Sequence, residues 1–126
     1  MRAETPQAAI ELFAAAMSAG DLDAALSLYE PEATFAPQPG SSATGLPAIG
    51  DALQGFVTLR PTLSGRIRKV LEADGVALVV NEWTLAGTQP DGGEIVMSGV
   101  SADVLRRQAD GRWLILVDDP WGSGAP

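Results

Sequence analysis

The feature that most constrains this chain is a change of hydrophobic period at Arg60-Pro61. Before it, Ala9, Ile10, Phe13, Ala16 and Met17 recur at helical spacing, and so do Ile49, Ala52, Leu53 and Phe56. After it, extended runs alternate with turn signals at Asp74-Gly75, at QPDGG (Gln89 to Gly93) and at Ala109-Asp110-Gly111. Helices followed by an antiparallel meander predict an α+β fold, with the helices packed on one face of a curved sheet and a cavity between them. A length of 126 residues suits a single domain spanning 1–126.

Local signals sharpen the element list. Thr5-Pro6 starts a first helix and Gly20 ends it. Asp21 caps a second, whose Leu22, Ala25, Leu26 and Tyr29 again fall at spacings of three and four. Pro31 stops that helix, which leaves Glu30 and Glu32 as turn acids, and Ala33 to Ala36 reads as a short strand. A Ser/Gly/Pro-rich loop, Gln38 to Gly45, precedes a helix opened by Pro47. The long strands are expected at Thr62 to Ala73, Val76 to Ala86, Glu94 to Gln108 and Trp113 to Asp118. The second begins VALVV and reads as buried on both faces.

Charge and missing residue types exclude much chemistry. Sixteen acids against eight bases give a formal charge of -8, which argues against nucleic acid or an anionic membrane as a partner. With no cysteine and no histidine there is no disulfide, thiol nucleophile or Ser-His-Asp triad, and no metal-ligand spacing or phosphate loop is present. No metal and no cofactor are expected. Proton transfer must therefore use Asp, Glu, Tyr29, Lys69 or water. MRAETPQAAIELF lacks the apolar core of a signal peptide and no run is long enough to span a bilayer, so a cytoplasmic, soluble protein is expected.

Three stretches carry a resemblance: AAIELFAAAMSAGDLDAALSLYEPEATF, TGLPAIGDAL and DGRWLILVDDPWG. Together they are similar to the SnoaL-like group of the ketosteroid isomerase-like, nuclear transport factor two-like superfamily. The resemblance covers nearly the whole chain. It implies a cone-shaped fold, N-terminal helices on a strongly curved, mainly antiparallel sheet that encloses a pocket for a small hydrophobic molecule. It also implies a homodimer, because the outer sheet face needs a cover.

In the isomerase-like enzymes a tyrosine on the first helix and a protonated acid on the third long strand form an oxyanion hole, and an aspartate after the first short strand is the base. The matching positions here are Phe13, Val100 and Pro37, none of which carries a suitable group. An Asp-Arg-Asp set of the limonene epoxide hydrolase-like kind also lacks its Arg and one Asp, the third-strand positions being Ser98, Val100 and Ala102. One acid remains. Alternation along the final strand groups Leu114, Leu116 and Asp118, and the resemblance implies that this face looks into the cavity. Asp118 is thus the candidate catalytic acid/base, desolvated among Phe13, Trp83 and Leu116, although it can also be read as a solvated strand end.

The expected ligand-contacting set is Phe13, Met17, Asn81, Trp83, Val100 and Leu116. Asn81 is placed inward with Val79, Trp83 and Leu85, and a one-residue slip would put Glu82 there instead. Arg66, Arg68 and Lys69 are read as an exposed sheet face with ion pairs to Glu82 or Asp103. Two functions follow: a cofactor-free isomerase, cyclase or dehydratase acting next to a carbonyl, or a non-catalytic dimeric binding or assembly domain.

Overall fold

A computed structural model describes residues 2–122. The first helix, α1 (Pro6–Ala19), is held at its start by Thr5, whose hydroxyl accepts from the Ala8 amide at 3.0 Å, and ends at Gly20 with φ 71°. Such a cap contributes about 1 kcal/mol. Helix α2 (Leu22–Leu26) is capped by Asp21, and α3 (Leu46–Val57) carries Pro47 in its first turn. The strands are β1 (Tyr29–Phe35), β2 (Ala43–Thr44), β3 (Thr62–Ala73), β4 (Val76–Thr88), β5 (Glu94–Arg107) and β6 (Trp113–Asp119). They form one sheet in the order β2-β1-β6-β5-β4-β3, with β1 parallel to β6 and every other pair antiparallel. This is the α+β cone architecture, with the sheet left open between its edges.

The first half departs from expectation in two places: within the expected Gln38 to Gly45 loop, Ala43–Thr44 pairs with β1 as β2, and β1 itself begins early. Tyr29 does not end the second helix, and Pro31 does not stop it; both lie in β1. The proline is tolerated because β1 pairs with β6 only at Tyr29 and again from Thr34, so the irregularity between them spares Pro31 any ladder bond. Glu30 is accordingly no turn acid. Its carboxylate accepts from Arg106 Nε at 2.8 Å and Nη2 at 2.6 Å, and from Gln108 at 3.0 Å, tying β1 to β5. Those hydrogen bonds from Arg106 hold its pKa below the usual carboxylate value.

The concave face of the sheet carries the core. Ala77, Val79 and Leu85 of β4, Leu105 of β5 and Ile115 of β6 are buried, as are Ala9, Ile10 and Met17 of α1 and Ile49 and Leu53 of α3. Each large aliphatic side chain so buried contributes about 1.5–3 kcal/mol. The convex face is different. VALVV is half buried, not buried twice over, and Leu71, Val76, Leu78 and Val117 are exposed there at 58%, 41%, 38% and 38%. Also on this face, Arg66 and Arg68 reach Glu82 at 2.8 and 3.4 Å.

Curvature has two local sources. Gly65, Trp83 and Gly99 face one another across β3, β4 and β5, and a side chain on Gly99 would come within 3.0 Å of the Trp83 ring. The indole thus occupies space that Gly99 leaves empty. The second source is a pair of bulges, one at Arg68 in β3 and one at Leu116 in β6.

Candidate active site

A cavity of about 720 Å³ lies between the helices and the concave face, a size suited to a drug-sized molecule. Phe13 and Met17 come to it from α1, Leu53 and Phe56 from α3, and Asn81, Trp83, Ser101, Asp103, Ile115 and Asp118 from the sheet. Pro37 also lines it, so the place of the relatives' base is in the wall but cannot titrate. Of the residues expected from the sequence, Phe13, Met17, Asn81, Trp83 and Asp118 meet here.

Val100 and Leu116 do not. Val104 pairs with Val117 but Leu105 pairs with Ile115, so Leu116 is the extra residue of a bulge. That insertion resets the alternation of β6, and Ile115 and Asp118 share the inner face where Leu116 and Asp118 were expected to. Along β5 the inner positions are Gly99, Ser101 and Asp103, opposite Trp83, Asn81 and Val79, which leaves Val100 opposite the outward Glu82. The register places Asn81, and not Glu82, at the cavity.

The register of β5 also brings an inward acid that the sequence reading placed outside. Asp103 is not an exposed partner for β3 arginines. It is 3% exposed and stands directly opposite Asp118, itself 7% exposed. The two carboxyls are close enough for each to shift the protonation of the other. Ser101 Oγ donates to Asp103 Oδ2 at 2.9 Å, and the hydroxyl of Tyr29 donates to Asp118 Oδ2. Tyr29 sits edge-on to Phe13, with ring centroids 5.7 Å apart.

Burial decides the protonation of this group. It pushes Asp103 well above the ordinary carboxyl value, and the charge of Asp118 pushes it further. Asp118 is also raised by burial, but the hydrogen bonds from Asp103 and Tyr29 pull it back. The Tyr29 phenol is raised by burial and then by the nearby Asp118 charge, so it stays protonated. Two carboxyls this close hold a shared proton. Asp103 holds that proton the more strongly, because burial and the Asp118 charge both raise it. Its Oδ1 is buried and finds no partner among the described residues.

Tyr29 and Asp103 were both missed as site residues from the sequence. Tyr29 was hidden by its helical spacing. Asp103 left a usable sign: in SADVL it alternates with Leu105, a natural core residue, so Ser101, Asp103 and Leu105 share a face. Among the described residues no group of three or more acids is placed to hold a metal ion, and no helix is long and apolar enough to cross a membrane.

Comparison with known proteins places this geometry. The family model for the SnoaL-like domain matches residues 10–115. The chain belongs to the SnoaL-like domain family. No curated protein matches it. Among solved structures, one from Xanthomonas campestris, assigned provisionally as a calcium/calmodulin-dependent protein kinase II association domain, is 20% identical with a TM-score of 0.78, over 95% of this chain and 86% of that one. A nuclear transport factor 2-like superfamily protein from Salmonella enterica is 16% identical with a TM-score of 0.77, over 93% and 89% of the two chains. A ketosteroid isomerase-like protein from Erwinia carotovora is 17% identical with a TM-score of 0.73, over 89% and 88%. These likenesses show a shared fold. The fold hosts isomerases as well as proteins without catalysis, so chemistry must be argued from the site.

Proposed function

We propose that this SnoaL-like chain binds a small, largely apolar carbonyl compound and transfers a proton next to its carbonyl without a cofactor. The observation that carries this reading is the acid pair: Asp118 faces Asp103 inside an apolar cavity and also accepts from Tyr29. One carboxylate and one carboxylic acid side by side are a base and an acid at neutral pH. The Asp118 carboxylate takes the proton from the carbon next to the carbonyl. The C–H electron pair becomes the new C=C bond, the C=O π pair moves to oxygen, and that oxygen takes the proton of Asp103. As the enol returns its O–H proton to Asp103 and re-forms the C=O, the proton now on Asp118 goes to another carbon for isomerisation, to a departing β-hydroxyl that leaves as water for dehydration, or to the oxygen of a second carbonyl attacked for cyclisation.

The test is deuterium exchange at the acidic methylene of 2-tetralone, followed by NMR. Asp118→Asn should lower the protein-dependent rate by about 10²–10⁴. An unchanged rate would sink the assignment.

A second reading rests on the convex sheet face. Its exposed Leu71, Val76, Leu78 and Val117 suit a homodimer, and the Xanthomonas relative is assigned as an association domain. In that reading the chain is a non-catalytic assembly module, and 2-tetralone exchanges at the background rate while the dimer persists. The buried acid pair favours the first reading. Dimerisation through this face is compatible with both.

A further inference from the structure

Asn81 is the one inward-facing polar side chain of β4, and its amide makes no hydrogen bond within the described residues. It is 9% exposed, and its Oδ1 is buried without a partner. Buried side-chain amides are nearly always bonded, so an orphan aimed into a cavity is waiting for something from outside the protein. The strand beside it is shaped around it. A side chain on Gly65 would come within 2.8 Å of Asn81 Oδ1 and 2.9 Å of Nδ2, so the amide lies over a gap that glycine leaves in β3.

Its position relative to the acid pair sets the length of what it recognises. The Asn81 amide leans onto β3, whereas Asp103 stands on β5, two strand spacings away at ~4.8 Å each. Asp103 also lies at least two residues further along at ~3.4 Å each, since Asn81 pairs with Ser101, so the two groups stand roughly 12 Å apart; less a hydrogen bond of about 2.8 Å at each end, the ligand's two polar atoms are at least ~6 Å apart, more than one six-membered ring spans. Around the Asn81 end the wall is Trp83, Leu85 and Ile67, which offers rings and methyls. The ionisable groups at the acid end are carboxyls, and Arg66 at the edge is already paired with Glu82, so nothing compensates an anionic ligand.

We propose that Asn81, seated over Gly65, is the far-end recognition group of the cavity, and that the ligand is a neutral hydroxy-carbonyl compound of two-ring size. Its carbonyl end lies at Asp103 and Asp118, and its distal hydroxyl exchanges hydrogen bonds with the Asn81 amide, which can both accept and donate. The carbonyl end rests on the proton-transfer reading above; the hydroxyl end does not.

Two probes separate these claims: 2-tetralone and 6-hydroxy-2-tetralone, titrated against the whole chain by quenching of tryptophan fluorescence, since Trp83 and Trp121 line the cavity. The hydroxyl should tighten the dissociation constant about tenfold, as one good hydrogen bond to an otherwise unpaired amide does. Asn81→Leu removes the amide and Gly65→Ala displaces it, so both should bring the ratio of the two dissociation constants to about one. The leucine variant should melt no lower than the parent, because it removes an unpaired buried amide. Equal affinities in the parent protein overturn the proposal, as do a tenfold ratio that survives Asn81→Leu and a failure of both probes to saturate. Deuterium exchange on the same samples reads the other claim. Loss of Asp118-dependent exchange with the tenfold ratio intact refutes proton transfer alone, and the reverse refutes the role of Asn81 alone.

Discussion

Replacing Tyr29 by phenylalanine deletes one hydroxyl and leaves the ring against Phe13 in place. That hydroxyl donates to the Asp118 carboxylate, and both side chains are buried. A hydrogen bond to a charged group is worth about 1.5–3 kcal/mol, and because the ionised form of Asp118 accepts it more strongly than the protonated form, its loss acts on the protonation equilibrium. The pKa of Asp118, held down by this bond, should therefore rise further in the variant. The sign for stability follows. The bond stabilises the ionised form, so its contribution is present above the Asp118 pKa and disappears as the pH falls through it. Tyr29→Phe should therefore lose about 1.5–3 kcal/mol in urea unfolding at pH 8 and much less at pH 4. Titration of the Asp118 side-chain carbon by NMR reads the pKa, and the pH profile of ketone exchange should move upward with it. A pKa that stays put or falls, or a stability loss equal at both pH values, would refute the claim that Tyr29 acts on the charge of Asp118.

Asp103 gives an opposite pH dependence. Its folded pKa is raised by burial and by Asp118, so its contribution is fully present below the unfolded carboxyl pKa and is lost as pH rises through the folded value. Thermal unfolding of the parent should fall in temperature from mildly acidic to neutral pH, and Asp103→Asn, which keeps a donor toward Asp118 and has no proton to lose, should flatten that slope. On the convex face, Leu78→Glu puts a charge among Leu71, Val76 and Val80; if that face joins two copies, sedimentation should show a dimer for the parent and a monomer for the variant, with the pH dependence of thermal unfolding unchanged.

Much of the fold was legible because it is written in local chemistry. The Thr5-Pro6 start, the Gly20 cap and the Asp74-Gly75 turn, where both residues take positive φ, each depend on neighbours in sequence alone. The site was half legible. Phe13, Met17 and Asn81 follow from period, but the inner face of β6 depends on one inserted residue, Leu116, whose effect cannot be read from WLILVDD by alternation. Tyr29 was obscured by a conflict between levels. Its spacing from Leu22 and Leu26 suits a helix, yet pairing with Ile115, distant in sequence, makes it a strand residue. Asp103 failed for a simpler reason. A charged residue in a strand is usually solvated, and only a partner such as Asp118 makes its burial tolerable.

The parallel pairing of β1 with β6 joins the earliest strand to the latest. Tyr29 and Asp118 are separated by 89 positions, and their side chains meet only when this seam closes. As the chain leaves the ribosome, Tyr29 is available long before its acid, so a nascent protein holds an apolar helical hairpin and a partial meander but no proton-transfer group. Contacts of such high sequence separation form slowly and late. The Tyr29–Asp118 contact is therefore also the fold's closing clasp: a chain that has made it has, by that fact, joined its first strand to its last.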